Sequence, residues 1–599
     1  MRVFSQAVRL HNQGQLENAE KLYQQLLDSD YRTDSVLCNL ALILCKRRDF
    51  DQASELLVEA LEINPVNTAV LNNLGRAVLD LKRFDEAEAY LTRALEVDPS
   101  YIAPKINLGM IYIETDRYDD AEEILNSVLD VDPGHKGARA NLLIVYQKTG
   151  RIDRGASLFT VPEAIQSCNE VPFVAGDVFH AKCKVLDWTD YDENLSALKT
   201  ATLQGLPVQT PFVALAANDD LVIQQRAAEL FIRSRFPERE PMVAKCYRYN
   251  NTRLKVAYLS SDFYDHATMY LVLRLLKGHD PTIFETFALS ARDDPLAKLR
   301  QRIIASVDHF VDISQQDDES VARWIASQKI DILVDLKGVT QNSRLGVLSY
   351  RPAPHQLHYL GFPATTGASY VDAFVGDAYT NPPDHDGFFT ERVMRLSACY
   401  QPNDDAHLRI VPRDVTRESQ GLRDDTFVYA SFNANYKITP TLMDHWVKIL
   451  NAVTNAQFWV YAKSGEAQTN FLLEWSNRGG SVKQIVFASH VDFWTNLARQ
   501  SLADLFLDTY PCNAHTTASD ALLMGLPVLT VSGQCFASRV AGSLLQERGM
   551  DDLVVNSLEK YEEKAISYGL NQTQVPSVQP RNAKLTDLSW YSLLVDLVS

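Results

Sequence analysis

A spacing of 34 residues recurs through the first quarter of the chain and constrains its fold more than any other feature. Small residues keep this spacing: Ala19, Ala53, Ala87, Ala121 and Gly155. Leucines keep it as well: Leu40, Leu74, Leu108 and Leu142. So do three prolines: Pro65, Pro99 and Pro133. A period held over four or five copies indicates one short structural unit that is repeated along the chain.

A 34-residue period with a small residue in the second helix and a proline at the junction is the signature of the tetratricopeptide repeat. Alanine lets two antiparallel helices approach closely, and each proline ends a repeat because the residue before it avoids the helical conformation. Each helix pair buries its apolar face only by stacking on the next. We therefore predict an α-solenoid over residues 1–160, which binds a protein partner or, alternatively, only supports a dimer or the domain behind it.

Charge and composition exclude several classes of function. The net charge of −18 over 599 residues argues against a nucleic-acid or anionic-membrane binder, whose partners need a basic surface. The eight cysteines form no CxxC pair, which favours free thiols in a reducing compartment. Neither a membrane-spanning apolar run nor a signal-peptide pattern occurs, so the sequence predicts a cytoplasmic protein.

Strands alternate with helices in the second half of the chain. Buried-strand runs such as LKVAYLS at 254–260 and FVYAS at 427–431 predict a doubly wound, mostly parallel sheet in each of two successive halves. We predict a helical connector (161–250), an N-terminal lobe (251–410), a C-terminal lobe (411–570), and a linker with a final helix that packs on a lobe (571–599). Ligands of such sheets bind outside the carboxyl ends of the strands.

The loop after the strand LFLDT carries hydroxyl side chains just before a helix expected from Ala518. Thr516, Thr517 and Ser519 lie where unpaired backbone N–H groups and the positive end of the helix dipole favour a phosphate. Threonine and serine are also ordinary helix caps, so the same residues have a purely structural explanation. His515, beside them, is equally compatible with a structural role.

Two further loops carry polar side chains at strand ends. Asn433 and Lys437 follow FVYAS, where a lysine either neutralises a departing phosphate or lies at the surface. Asp262 and His266 follow LKVAYLS, where a histidine orients or deprotonates an acceptor hydroxyl, or hydrogen-bonds a phosphate. The sequence contains no dinucleotide-binding GxGxxG after a strand, no P-loop and no metal-ligand pattern, so we expect neither cofactor nor metal.

Several stretches from residue 254 to about 545, in order, carry a resemblance to one family: LKVAYLSSDFYDHAT, IDILVDLKGVTQNSR, RPAPHQLHYLGFPATTG, YASFNANYKITP, LADLFLDTYPCNAHTTASDALLMGLPVLT and FASRVAGSLL. Together with the repeats they resemble the O-GlcNAc transferase/SPINDLY-type family of inverting GT-B glycosyltransferases. The resemblance implies a solenoid followed by two Rossmann-like lobes, and the short repeat array suggests a bacterial member.

The resemblance also implies roles for individual residues. His266 matches the active-site histidine near the acceptor and the donor phosphate, and Lys437 matches the lysine that stabilises the departing diphosphate. The remaining matches are donor-binding positions: Gly361 and Pro363 beside the sugar, Asn433, Arg499 near the base, His515, Thr516 and Thr517 at the diphosphate, and Asp520 at the ribose.

The activity implied by the resemblance is metal-independent transfer of a sugar, with inversion, from a nucleotide-sugar to Ser or Thr of a protein recruited by the repeats. Some relatives carry a lysine at the position of Phe493 and a histidine, near the nucleobase, on the helix that here bears Asn496. The donor therefore stays open between UDP-GlcNAc, GDP-fucose and a CMP-nonulosonate. The last would suit flagellin as acceptor. A homodimer is possible, and a scaffold whose catalytic lobes have decayed is the alternative of another class.

Overall fold

A computed structural model describes residues 2–29, 31–295, 297–403, 414–572, 575–579 and 584–598, without the side chains of 152–153 and 584–586. The chain divides into two compact units, Met1–Phe159 and Thr160–Ser599. The lobe boundary predicted at 410/411, and part of the linker predicted after residue 570, lie outside the described residues. No helix in the described ranges is both long and apolar enough to cross a bilayer.

The first unit is built from successive helices: α1 (Arg2–Asn12), α2 (Leu16–Asp28), α3 (Asp34–Lys46), α4 (Phe50–Ile63), α5 (Thr68–Asp80), α6 (Phe84–Val97), α7 (Ile102–Glu114), α8 (Tyr118–Leu129), α9 (Lys136–Lys148) and α10 (Ile152–Ala156). The periodic alanines lie in the second helix of each pair and have no exposed surface: Ala19, Ala53, Ala87 and Ala121. This burial lets the paired helices approach closely. The predicted α-solenoid is confirmed.

The second unit begins with short helices that form the connector: α11 (Val161–Gln166), α12 (Val174–Lys184), α13 (Tyr191–Leu203), α14 (Pro211–Ala217) and α15 (Leu221–Arg235). The connector packs against the turn that carries Lys437. The Tyr436 ring lies between His180 and Phe212, with ring centroids 4.7 and 5.7 Å away. The connector is therefore part of the packing around this turn.

The N-terminal lobe alternates strands and helices: β1 (Leu254–Ser260), α16 (Ala267–Lys277), β2 (Phe284–Ser290), α17 (Lys298–Ile304), β3 (His309–Asp312), α18 (Asp318–Ser327), β4 (Ile332–Asp335), α19 (Leu345–Ser349), β5 (His355–Tyr359), β6 (Ala373–Asp377) and β7 (Arg392–Leu396). The strand order is β3-β2-β1-β4-β5-β6-β7, and the strand pairings of the described residues are parallel. Strands β5 and β7 are additions to the pattern read from the sequence.

The C-terminal lobe repeats the alternation: β8 (Phe427–Ser431), α20 (Pro440–Ala452), β9 (Ala456–Tyr461), α21 (Gly465–Asn477), β10 (Ile485–Ala488), α22 (Phe493–Arg499), β11 (Leu505–Leu507), α23 (Thr516–Leu523), β12 (Val528–Val531), α24 (Val540–Gln546), β13 (Val554–Val555) and α25 (Leu558–Leu570). The order is β10-β9-β8-β11-β12-β13, again with parallel pairing in the described residues. Helix α23 begins two residues before the predicted start at Ala518.

The final helix, α26 (Lys584–Val598), packs on the N-terminal lobe. The buried Trp590 ring stacks on Tyr359 at a centroid distance of 4.5 Å, and its Nε1 donates to the Tyr258 hydroxyl at 3.1 Å. Arg274 of α16 pairs with Asp587 of α26 at 2.8 Å. The last helix therefore completes the core of a lobe whose strands lie some 200–340 residues earlier in the chain.

Candidate active site

The predicted site residues lie in the loops, or in the first turns of the helices, that follow the carboxyl ends of strands, with the exception of Arg499 at the end of α22. They follow four strands: His266 after β1, Gly361 and Pro363 after β5, Asn433 and Lys437 after β8, and His515, Thr516, Thr517 and Asp520 after β11. The two sets of loops meet across the lobes, because Cys512 and Ala537 share a buried cluster with Phe362. Parallel sheets gather ligand sites at this edge.

Asp508 organises the loop between β11 and α23. Its Oδ1 accepts from the backbone N–H groups of Thr509 and Ala514 at 2.7 and 2.6 Å, and its Oδ2 accepts from the Thr530 hydroxyl at 2.7 Å. Burial raises the pKa of Asp508 to about 6, against the effect of these hydrogen bonds. The loop that leads to the threonines is thus folded around one buried carboxyl group.

Asn433 joins this loop to the end of β8. Its Nδ2 donates to the Thr509 hydroxyl at 2.8 Å and to Asp508 Oδ1 at 3.2 Å. Its Oδ1 is buried and accepts no hydrogen bond from the described residues. A buried acceptor without a partner is costly, so Asn433 keeps a hydrogen-bonding position open in the site.

Lys437 is half-buried, and its charge has no carboxylate bound to it in the described part of the chain. Its Nζ donates to the Asn513 carbonyl oxygen at 2.6 Å. Burial alone would lower the pKa of Lys437, but Cys512, Tyr436 and Asp508 around it raise the pKa above the usual value. The ammonium group is therefore charged near neutral pH.

His515 lies beside the lysine and is neutral. Its Nε2 donates to the Ala537 carbonyl oxygen at 3.2 Å. Burial, together with the positive charge of Lys437, lowers the pKa of His515 to about 3. A histidine that stays neutral next to an ammonium group adds no second positive charge to the site.

Helix α23 starts directly after His515, with Thr516 and Thr517 half-buried in its first turn. Within the described residues, no side chain caps this helix start. The first N–H groups of a helix lack partners inside the helix, and they carry its positive dipole end. Two hydroxyls and the first N–H groups of α23 thus lie just after Asn513, whose carbonyl oxygen accepts from Lys437.

Asp520 lies one turn further along α23 and makes no hydrogen bond to the described residues. Burial raises its pKa to about 7. Across the lobes, burial raises the pKa of Tyr270, and the charges of Asp265 and Asp520 add to this effect. The Tyr270 ring stacks on Phe493 with centroids 4.1 Å apart, so α16 and α22 meet beside Asp520.

His266 caps the start of α16 on the N-terminal lobe. Its Nδ1 accepts from the Thr268 N–H at 3.2 Å and lies 3.3 Å from Asp262 Oδ2. Burial lowers the pKa of His266, Asp262 opposes this, and Lys337 and Arg292 lower it further. The ring is therefore neutral near pH 7.

The loop that carries Gly361 and Pro363 presses against the turn after β4. Leu360 has a φ of +65°, and a Cβ on Gly361 would lie 2.0 Å from the Leu336 carbonyl oxygen. Only glycine allows that approach. Beneath the loop, the buried His358 holds the Phe362 carbonyl oxygen 2.9 Å from its Nε2.

His358 also forms a fully buried ion pair. Its Nδ1 donates to Asp335 Oδ2 at 2.8 Å, and the same carboxylate accepts from the backbone N–H groups of Lys337 and Gly338 at 3.1 and 2.6 Å. Burial would lower the pKa of His358, but Asp335 raises it above the usual value. The pair ties the turn after β4 to the loop after β5.

Sequence reasoning missed Asp335, Lys337, His358 and Asp508. Lys337 Nζ donates to both oxygens of Asp262, at 3.0 and 2.9 Å, and both side chains are buried. The strand-end rule would have pointed to Asp335 and Lys337 had it been applied to IDILVDLKG. Their partners lie 23 and 75 residues away, and no local pattern identifies them.

The terminal nitrogens of Arg499 donate hydrogen bonds within the C-terminal lobe. They donate to the Ser489 carbonyl oxygen at 2.7 Å and to Asn496 Oδ1 at 2.6 Å, and the guanidinium lies 5.2 Å from the centre of the Phe432 ring. This arrangement fixes the segment between β10 and α22. A contact of Arg499 with a donor base stays a prediction.

Repeats followed by two parallel α/β lobes, with polar loops meeting at the strand ends, define a two-lobed fold of GT-B type preceded by a solenoid. The chain belongs to glycosyl transferase family 41, which it matches over residues 185–411 and 406–596. Tetratricopeptide repeats match over 32–100 and 78–142. The family predicted from the sequence is confirmed.

Relatives and a solved structure agree with this assignment. The chain is 34% identical over 400 residues to the probable UDP-N-acetylglucosamine–peptide N-acetylglucosaminyltransferase SEC of Arabidopsis thaliana, covering 64% of this chain and 41% of that protein. It is 30% identical to SPINDLY of the same plant, covering 54% and 36%. The chain thus spans less than half the length of these relatives.

A mutant O-GlcNAc transferase of Thermobaculum terrenum has a similar structure, with a TM-score of 0.53 and 23% identity over 94% of this chain and 93% of that one. At this level of identity the similarity concerns the fold. It confirms a solenoid followed by two Rossmann-like lobes.

Proposed function

We propose that this protein is an inverting O-glycosyltransferase that moves a sugar from a UDP-GlcNAc-like donor to a serine or threonine of a protein acceptor. Membership of glycosyl transferase family 41 and the printed activity of the relatives support the reaction class. The solenoid supports a protein acceptor, because its curved surface suits an extended polypeptide.

The observation that carries the proposal is the charge of Lys437, which binds no carboxylate within the described ranges and lies beside a helix start that no described side chain caps. Its ammonium group contacts the Asn513 carbonyl oxygen instead of a carboxylate, and Thr516 and Thr517 begin α23 on the same loop. A diphosphate would satisfy all of these donors at once. A decayed scaffold has no need to keep both halves of such a site.

In the proposed reaction the acceptor oxygen forms a bond to the anomeric carbon while the bond from that carbon to the phosphate oxygen breaks. The electron pair of the broken bond stays on the nucleoside diphosphate. Lys437, the two threonine hydroxyls and the helix start stabilise this charge without a divalent ion. The hydroxyl proton leaves to His266, to water or to the phosphate itself. Holding the reactants in line supplies the remaining acceleration.

Asp520 and the loop with Gly361 and Pro363 complete the proposed donor site. Asp520 would accept hydrogen bonds from the ribose, and the glycine loop would lie against the sugar. Asn433 would order the diphosphate loop, and Arg499 would support the segment beside the base. The stacking of Phe493 on Tyr270 gives that segment an aromatic surface. This surface does not distinguish UDP, GDP and CMP donors from one another, so binding measurements must do so.

The test is a calorimetric and thermal-shift titration of the full chain with UDP, GDP and CMP and their sugar conjugates. A ligand at 100 times its Kd stabilises the fold by about 2.7 kcal/mol, so a true donor is readily visible. Lys437→Met should keep the fold and lower the transfer rate by about 10²–10³-fold, the usual cost of removing one charge-stabilising donor. Lys483→Met, at an exposed position of the same lobe, is the matched control.

Each outcome separates the candidates. Binding of UDP and UDP-GlcNAc supports the proposal, whereas selective binding of CMP redirects it to a nonulosonate donor and to flagellin as acceptor. Transfer should be unchanged by EDTA. If no nucleotide binds at millimolar concentration, the transferase proposal fails and a repeat scaffold becomes the better account.

A further inference from the structure

The Nδ1 atom of His266 lies between a hydrogen-bond donor and an acceptor. The Thr268 N–H is 3.2 Å away, and Asp262 Oδ2 is 3.3 Å away on another side. A ring nitrogen without a proton accepts from the first, and one with a proton donates to the second. The stronger of these two interactions at Nδ1 therefore determines which nitrogen of the neutral ring carries the proton.

The carboxylate of Asp262 already binds the ammonium group of Lys337. Lys337 Nζ donates to both of its carboxylate oxygens at 3.0 and 2.9 Å, and the two side chains are 7% and 4% exposed for Lys337 and Asp262. The strands β1 and β4 that precede these residues are neighbours in the sheet. Such a carboxylate still has acceptor positions, but the positive charge of the ammonium group weakens its attraction for a third donor.

The lysine has a fixed backbone. The Lys337 N–H donates to Asp335 at 3.1 Å, and Asp335 is held in turn by the buried His358 at 2.8 Å. These hydrogen bonds hold the backbone from which the Lys337 side chain reaches Asp262. The Thr268 N–H, in contrast, belongs to the first turn of α16, where backbone donors need an acceptor outside the helix.

We infer that Lys337 is a positioning residue that occupies Asp262, leaves Nδ1 of His266 to accept from Thr268, and so places the ring proton on Nε2. This inference rests on the proposed function, because it assigns what His266 does in that site. A neutral ring with the proton on Nε2 donates a hydrogen bond to an oxygen of the donor or the acceptor. It does not remove the hydroxyl proton, which then leaves to water or to the departing diphosphate.

The charged groups around the ring agree with a neutral histidine. Asp262 favours the protonated ring, whereas burial, Lys337 and Arg292 disfavour it, and the net effect lowers the pKa of His266. Tyr264, whose ring centroid lies 5.5 Å from that of His266, carries Arg292 over its face at 4.3 Å.

Nitrogen NMR of the ¹⁵N-histidine-labelled full chain tests the inference, with the His266 signals identified by their loss in His266→Gln. In the wild type, Nε2 should carry the proton and Nδ1 should not. In Lys337→Met, the freed Asp262 should draw the proton to Nδ1 and raise the pKa of His266 by about one pH unit or more. Lys277→Met, at the exposed far end of α16, should leave both properties unchanged.

The double variant Lys337→Met/Asp262→Asn removes the freed charge and should return His266 to its wild-type titration and tautomer. A wild-type spectrum with the proton on Nδ1 overturns the inference even if Lys337→Met does not fold. An unchanged tautomer in a folded Lys337→Met overturns it as well. These samples contain neither donor nor acceptor, so the result is independent of the nucleotide titration that decides the proposed function.

Discussion

The two lobes present opposite electrostatic arrangements at the carboxyl ends of their sheets. In the N-terminal lobe, two buried charge pairs lie where strands end: Asp335 with His358, and Lys337 with Asp262. In the C-terminal lobe, Lys437 and Asp520 are not bound to opposite charges in the described residues. The charge pairs of the N-terminal lobe form without a ligand. The charged groups of the C-terminal lobe would gain a binding partner from a ligand.

This difference suits a transferase that binds a charged nucleotide and an uncharged hydroxyl. In the proposed reaction, a diphosphate would bring the negative charge that pairs with Lys437 and the start of α23. An acceptor hydroxyl carries no charge, so the buried pairs in the lobe that carries His266 need no charge from that ligand. Four experiments test this comparison.

The largest effect is expected from breaking the buried pair of the N-terminal lobe. His358→Ala leaves Asp335 buried without its partner, which should lower the free energy of unfolding by about 3–5 kcal/mol. Urea unfolding followed by tryptophan fluorescence measures this change, because every tryptophan of the chain follows residue 160. His309→Ala removes a surface pair, with Glu285, and should cost no more than about 1 kcal/mol.

The same pair predicts the direction of the pH dependence. Because Asp335 raises the pKa of His358 in the folded state, its stabilisation is complete below the unfolded value. It is lost as the pH rises through the folded value. Wild type should therefore lose part of its stability between about pH 6.5 and the folded pKa, and His358→Ala should lack this loss. Parallel pH curves for the two proteins would contradict the assignment.

An intermediate effect is expected from the hydroxyls at the start of α23. Thr516→Val and Thr517→Val keep shape but remove one donor each, which should weaken binding of the nucleoside diphosphate about tenfold, the equivalent of roughly 1.4 kcal/mol. Calorimetry with the diphosphate and with its nucleoside separates the phosphate contribution. Thr469→Val, on the exposed face of α21, is the control. Equal losses for nucleoside and diphosphate would place the threonines elsewhere in the site.

The smallest effect concerns Asp520. Burial raises its pKa to about 7, so the carboxyl group changes from a protonated to an ionised form as the pH rises from 6 to 8. The ionised form accepts more hydrogen bonds from ribose hydroxyls, so nucleotide affinity should rise about threefold over this range. Asp520→Asn should flatten the profile. A fall in affinity with rising pH that disappears in Asp520→Asn would show that the carboxylate repels the phosphates.

The repeats and most strands could be predicted because their signals are local. A 34-residue period and runs such as LKVAYLS need no partner elsewhere in the chain to be recognised. Strand β5 was not predicted, because its sequence, HQLHY, is polar. Its Gln356 and His358 are buried with partners from other elements: Gln356 Nε2 donates to the carbonyl oxygens of Leu348 and Tyr370, and His358 pairs with Asp335.

The site residues that belong to a sequence motif could be predicted. The residues whose role depends on pairing between strands could not. Thr516, Thr517 and Lys437 stand in loops that the resemblance identifies. Lys337 resembles a solvent-exposed loop lysine until its distance to Asp262 is known, since their pairing spans 75 residues. Charge pairs of that kind depend on strand order, which no window of sequence contains.

The packing of α26 on the N-terminal lobe sets the order in which the protein can mature on the ribosome. Trp590 donates to Tyr258 and stacks on Tyr359, so the core around β1 and β5 stays open until residues 584–598 have emerged from the exit tunnel. The whole C-terminal lobe is translated before that moment. The lobe that is synthesised first is therefore the one that is finished last, and the nascent chain carries its unclosed apolar core throughout synthesis of the other.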